Sequence, residues 1–116
     1  MNNLSLINLP DANLESYCYS RSSNTLKIRI RTWDYKIIEF IFEGLLAFSD
    51  RGGNFITIFQ KLTPMNAFEN DFYKQIIEKN YEKIENISEN LFLFLDIDDN
   101  PFLEIVCREV EIKKVE

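Results

Sequence analysis

At 116 residues, 46% of them hydrophobic and 14% aromatic, the chain has the length of one domain and ample material for a packed core. Its net charge of −6 and pI near 4.7 disfavour direct binding to nucleic acid or anionic membrane, both of which need clustered Lys and Arg. The absence of histidine removes the commonest general acid–base, the Ser-His and Cys-His nucleophile systems and the usual zinc ligand.

The two cysteines, Cys18 and Cys107, lie far apart with no C-x-x-C and read as buried, reduced small hydrophobes. The start, "MNNLSLINLPDANLESY", has neither the basic region nor the apolar core of a secretory signal. No stretch reaches the eighteen or so apolar residues of a membrane span. A cytoplasmic protein with free thiols is expected.

The first twelve residues carry Leu4, Leu6, Ile7 and Leu9 around Asn, Pro10 and Asp11, and read as a short strand or an apolar arm. "NLESYCYSRSS" alternates Leu14, Ser16 and Cys18 against Glu15, Tyr17 and Tyr19, a strand ended by "SRSSN". In "TLKIRIRTW", Leu26, Ile28 and Ile30 share one face and Lys27, Arg29 and Arg31 the other. That period of two marks a half-buried strand.

"WDYKIIEFIFEG" is its partner, with Ile38, Phe40 and Phe42 on one face. A loop of Asp34-Tyr35-Lys36 sets Trp33 opposite Ile37, Ile30 opposite Phe40 and Ile28 opposite Phe42. Arg31 then meets Glu39, and Lys27 meets Glu43. A slip by one residue sets Ile30 against Glu39, so the apolar pattern rejects it. This loop lacks the glycine usual in three-residue hairpins.

Gly44 breaks the alternation as a bulge does, and "DRGGN" is the strongest turn signal. "NFITIFQKL" reads as a fourth strand ending before Thr63-Pro64. "NAFENDFYKQIIEKNYEKIEN" predicts one helix, capped by Asn66 with Glu69 as its capping-box partner or by Asn70. Phe68, Phe72, Tyr73, Ile76 and Ile77 form its apolar stripe, with Lys74, Glu78, Lys79, Glu82 and Lys83 outside. Strands over 90–97 and 102–108 follow, and "VEIKKVE" extends the last or forms a charged edge. The expected architecture for the single domain 1–116 is α+β, a mostly antiparallel sheet with one main helix packed on a face.

The candidate site is "LDIDDNP". Counted from Asp96, an EF-hand needs Gly at the sixth position and Glu at the twelfth; Pro101 and Cys107 stand there. A magnesium site needs carboxylates from elsewhere, such as Asp50 or Glu104. A turn needs nothing more, because Asp and Asn bond their own backbone and Pro follows. Asp96 and Glu104 each interrupt an apolar alternation, so they are expected on one water-facing strip. Asp96, Asp98, Asp99 and Glu104 are therefore the expected partner-binding residues, with no catalytic, cofactor or metal residue assigned.

Lys27, Arg29 and Arg31 beside Trp33 and Tyr35 resemble a single-strand-binding comb, but Glu39 and Glu43 neutralise that face, leaving a solvated sheet surface. No phosphate-binding glycine pattern and no G-x-S-x-G elbow occurs.

The order of hairpin, Gly-containing strand, helix and "FLFLDIDDNPFLEIV" resembles small immunity proteins encoded beside bacterial polymorphic or contact-dependent toxins, over roughly residues 25 to 108. The resemblance carries over no individual binding residue. It implies a cytosolic, non-enzymatic protein that binds and neutralises a cognate toxin domain, often a nuclease with a basic cleft. The alternative is a small-ligand binder with a pocket between sheet and helix lined by Phe, Tyr and Trp33; an enzyme using Asp and Glu alone ranks third.

Overall fold

The computed structural model describes residues 5–82 and 86–115; Leu4 and Lys83 of the sequence reading lie outside them. Eight strands and two short helices follow in the order β1 (Ser5–Ser20), β2 (Thr25–Arg31), β3 (Ile37–Glu43), β4 (Ala47–Asp50), β5 (Phe55–Leu62), α1 (Pro64–Ala67), α2 (Asp71–Asn80), β6 (Asn90–Leu95), β7 (Pro101–Cys107) and β8 (Glu109–Lys114). The α+β expectation is overturned. Among the described residues 56% are strand and 13% helical, which makes this a sheet-dominated fold with a minor helix.

The correction has three local causes. Residues 5–20 form one continuous strand rather than an arm and a separate strand. The chain beyond Gly44 remains extended, adding β4, and the charged edge expected of "VEIKKVE" is a strand of its own, β8. The helical pattern is also interrupted, because Asn70 rather than Asn66 caps α2, its side chain accepting the Tyr73 N–H at 2.9 Å. Tyr81 then leaves the helix in an extended conformation.

All strand pairs are antiparallel, in the order β4-β7-β6-β5-β1-β2-β3-β8. The two ends of that order are the same two stretches of chain. β3 runs on into β4, and β7 runs on into β8; β3 pairs with β8 while β4 pairs with β7. Hydrogen bonds from Arg108 N–H to Glu43 O (3.1 Å) and from Leu46 N–H to Val106 O (2.8 Å) carry the ladder across the joint. The sheet thus closes into a barrel. At the joint Gly44 adopts φ +69°, and a Cβ there meets the Arg108 guanidinium at 2.5 Å, so any larger residue at the bulge read from the sequence is strained and must displace that side chain.

Phenylalanines fill the interior. Phe40 of β3 meets Phe59 of β5 and Phe94 of β6, with ring centroids 4.7 and 5.1 Å apart. These strands are not neighbours in the sheet, so the contacts cross the barrel. Leu26, Ile28, Ile30, Ile56, Leu103 and Ile105 complete the same core. Outside the barrel, Tyr73 and Ile77 of α2 pack on Leu91, Leu93, Leu95 and Val106 in a second cluster. β6 is therefore buried on both faces, which is why "LFLFL" carries no polar residue.

The β2–β3 register differs from expectation by two residues. Ile30 faces Ile38, Ile28 faces Phe40, and Arg29 faces Glu39. Thr32 N–H donates to Lys36 O at 2.8 Å and Tyr35 N–H to Thr32 O at 3.0 Å. The three-residue loop is thus Trp33-Asp34-Tyr35, and Tyr35 occupies the left-handed position at φ 65°. A slip of two keeps every side chain on its face, so alternation alone cannot choose between the two pairings.

Candidate functional site

The acidic stretch is a turn whose architect is Asp96. Its Oδ1 accepts the Asp98 N–H at 2.9 Å and the Asn100 N–H at 3.0 Å. Its own N–H donates to Asn100 O, and its carbonyl accepts the Asp99 N–H, both at 3.0 Å. The Thr57 hydroxyl donates to the same carbonyl at 2.9 Å, tying the turn to β5. Asp99 takes the left-handed conformation at φ 61°, a position aspartate tolerates better than most side chains. Ile97, Asp98 and Asp99 are left exposed at the tip, and Ile97 is 81% exposed.

Glu104 is not part of a water-facing strip. Along β7, Leu103, Ile105 and Cys107 point into the barrel core, which puts Glu104 on the outer face. There the α2 start and the 51–54 turn cover it, and its relative exposure is 2%. Arg51 donates to Oε1 from Nε at 3.2 Å and from Nη2 at 3.0 Å. Asn70 Nδ2 donates to Oε2 at 2.9 Å, while Asn70 Oδ1 holds the Tyr73 N–H. One carboxylate thereby fixes a turn and a helix start at once. The sequence expectation fails because alternation places Glu104 opposite the core without revealing that a helix closes over that face.

Between the 51–54 turn, the start of α2 and the 96–101 turn lies a depression of about 670 Å³, bordered by Arg51, Gly53, Asn70, Phe72, Asp96 and Phe102. A Cβ at Gly53 overlaps the Phe102 ring, so glycine lets the turn lie flat on β7. Glu69 and Asp71 also line the depression, giving it an acidic rim. Arg51, the cation on this lining, is paired with Glu104. No sequence signal links Arg51 to Glu104 across 53 positions; Asn70 was visible, but only as a helix cap.

Among the described residues no three His, Cys, Asp or Glu side chains converge as metal ligands do. The expectation of two buried thiols is corrected for Cys18, which is exposed; Cys107 is buried. Burial pushes the Cys107 thiol up to about 12, which keeps it protonated and unreactive. Cys18 stands on β1 opposite Lys27.

Two of the three cations of the basic face are paired, differently from expectation, and Lys27 lies between Cys18 and Ile41 rather than opposite Glu43. Arg29 bonds Glu39 at 3.0 Å and Arg31 bonds Glu15, while Glu43 faces Thr25 and Glu109. Trp33, 66% exposed, borders a cavity of about 300 Å³ with Ile7, Leu9, Ile38 and Lys114. That cavity sits at one end of the barrel and has no helix residue in its lining, unlike the sheet–helix pocket expected. The sheet–helix seam itself is filled by the second apolar cluster.

No helix among the described residues is long and apolar enough to cross a membrane. Comparison with family models, curated proteins and solved structures finds no match for this chain.

Proposed function

We propose that the chain is a non-enzymatic interaction protein, an immunity or inhibitor protein of the cytoplasm that binds and neutralises a toxin domain with a basic surface. The observation that carries the reading is the acidic tip at Asp98 and Asp99, pre-formed by the Asp96 hydrogen bonds and standing clear of the barrel beside Ile97. A turn already fixed loses little conformational entropy on binding. Its charges, with Glu69 and Asp71 on the neighbouring rim, attract a basic partner over a range of about 10 Å at 0.1 M salt. Glu104 supports this surface from behind by holding Arg51 and Asn70.

The test is stopped-flow association with a basic toxin domain encoded beside this chain, across a salt series. Association is expected to slow steeply with salt, and Asp98→Lys with Asp99→Asn, which keeps a side chain suited to the left-handed position, to slow it by about an order of magnitude with unfolding unchanged. A rate indifferent to both overturns the reading. The small-ligand alternative rests on the cavity beside Trp33; quenching of Trp33 fluorescence by a ligand is the signature that favours it.

A further inference from the structure

The barrel closes with a stagger, and the stagger leaves a strand edge open. β8 is paired with β3 alone among the described strands, because β6 begins at Asn90, opposite Cys107. Its six residues, "EVEIKK", are exposed except for a half-buried Val110. Ile112 is 42% exposed.

The direction of each main-chain group on β8 follows from the β3 ladder. Val115 N–H donates to Ile37 O at 2.8 Å, in register with the pairs Glu39↔Lys113, Ile41↔Glu111 and Glu43↔Glu109. In an antiparallel ladder, narrow hydrogen-bonded pairs alternate with wide ones. Glu109, Glu111 and Lys113 therefore spend their N–H and C=O groups on β3. Val110, Ile112 and Lys114 direct theirs outward, along the open edge.

We propose that this edge pairs with the same edge of a second copy of the chain, antiparallel about a two-fold axis at Ile112. The charge pattern selects that register. Centred on Ile112, Glu111 of each copy faces Lys113 of the other, in a wide pair where side chains approach most closely. Centring on Glu111 sets glutamate against glutamate, and centring on Lys113 sets lysine against lysine. A centre on Val110 brings Glu109 against Glu111. The same Ile112 register also joins outward groups to outward groups: Ile112 to Ile112, and Val110 to Lys114 in both directions. That forms about six main-chain hydrogen bonds, two per narrow pair. The self-paired Ile112 side chains cover each other's exposed surface. Hydrogen-bond parity admits any register centred on a residue of β8, and charge order selects Ile112 among them.

The contact is small by the standard of permanent dimers, so a dissociation constant of roughly 1–100 µM is expected. Sedimentation velocity from ~1 to ~500 µM protein spans that range and reads it directly. Glu111→Lys alone sets lysines opposite lysines twice per dimer and is expected to weaken association by about tenfold or more. Glu111→Lys with Lys113→Glu restores it. An equimolar mixture of the Glu111→Lys chain and the Lys113→Glu chain forms a heterodimer tighter than either self-association. Ile112→Pro removes an N–H that β3 does not use, so it abolishes association while far-UV circular dichroism stays as in the parent. A monomer at every concentration overturns the proposal, and so does a dimer that ignores the charge reversal and its swap.

Discussion

The two sides of the barrel wall are built under different constraints. The β5–β6–β7 side has the phenylalanine core within and α2 without, so consecutive residues from Leu91 to Leu95 are buried. On the β1–β2–β3–β8 side the outer face meets water, and β2 alternates strictly between buried Leu26, Ile28, Ile30 and exposed Lys27, Arg29, Arg31. A sheet face covered by a helix turns each neighbouring pair of residues into two core positions. A face in water turns it into one core position and one solubilising position.

The largest expected effect breaks that contrast at adjacent residues. Phe94→Ala should destabilise by about 3–5 kcal/mol and Leu93→Ala by about 2–5 kcal/mol, since both leave cavities, on opposite faces. On the watered side Ile28→Ala should cost about 2–5 kcal/mol, whereas Arg29→Ala, which breaks one exposed ion pair with Glu39, should stay within about 0.5 kcal/mol. Urea unfolding of the four variants measures this. An Arg29→Ala loss equal to that of Leu93→Ala overturns the two-sided reading.

Next in size is Glu104, a charged residue buried on the covered side. Glu104→Ala strands the Asn70 amide and the partly exposed Arg51, for a loss of about 2–4 kcal/mol. Glu104→Gln keeps an acceptor for Asn70 and should recover part of it. Equal losses for both variants mean that charge on Glu104, rather than its hydrogen-bonding shape, holds the turn and helix together.

The thiols sharpen the same contrast. Cys18 should react with a thiol reagent in the folded protein and Cys107 only after unfolding. Burial raises the Cys107 thiol to about 12, so its contribution to stability is fully present below its ordinary pKa near 9 and is lost as pH rises through 12. In that window the unfolded chain releases a proton that the folded chain retains, which costs about 1.4 kcal/mol per pH unit. Tyr73, also raised by burial, adds a loss of the same sign at higher pH. Cys107→Val should flatten the first part of the decline in a pH series of unfolding curves; an unchanged slope removes the thiol as its cause.

How much of this was legible in the sequence follows from how local each signal is. β2 and β3 were legible from alternation, the Gly44 bulge from an interrupted pattern, and the Asp96 turn from Asp, Asn and Pro chemistry. Register within the hairpin was not, because loops of Trp33-Asp34-Tyr35 and Asp34-Tyr35-Lys36 bury the same faces; Tyr35 in a glycine's conformation decided it. The burial of Glu104 was not legible either. It depends on Arg51 and Asn70, distant in sequence, and on a helix that closes over β7. Barrel closure likewise needs β3 and β8 to meet, and neither strand carries a mark of the other.

That meeting governs the route to the native state. The β1–β2, β2–β3 and β6–β7 ladders join neighbours in sequence and cost little loop entropy to form. The pairing of Ile38 with Lys114 encloses about two-thirds of the chain and gains little until most of that is in place. Folding on a scale of milliseconds to seconds follows from such long-range pairing. If the β3–β8 ladder zips last, Phe40, Phe42, Phe59, Phe92 and Phe94 stay open to water until that step. The chain's hazard of aggregation is then set by how long the open ring persists, a kinetic quantity that native-state stability does not report.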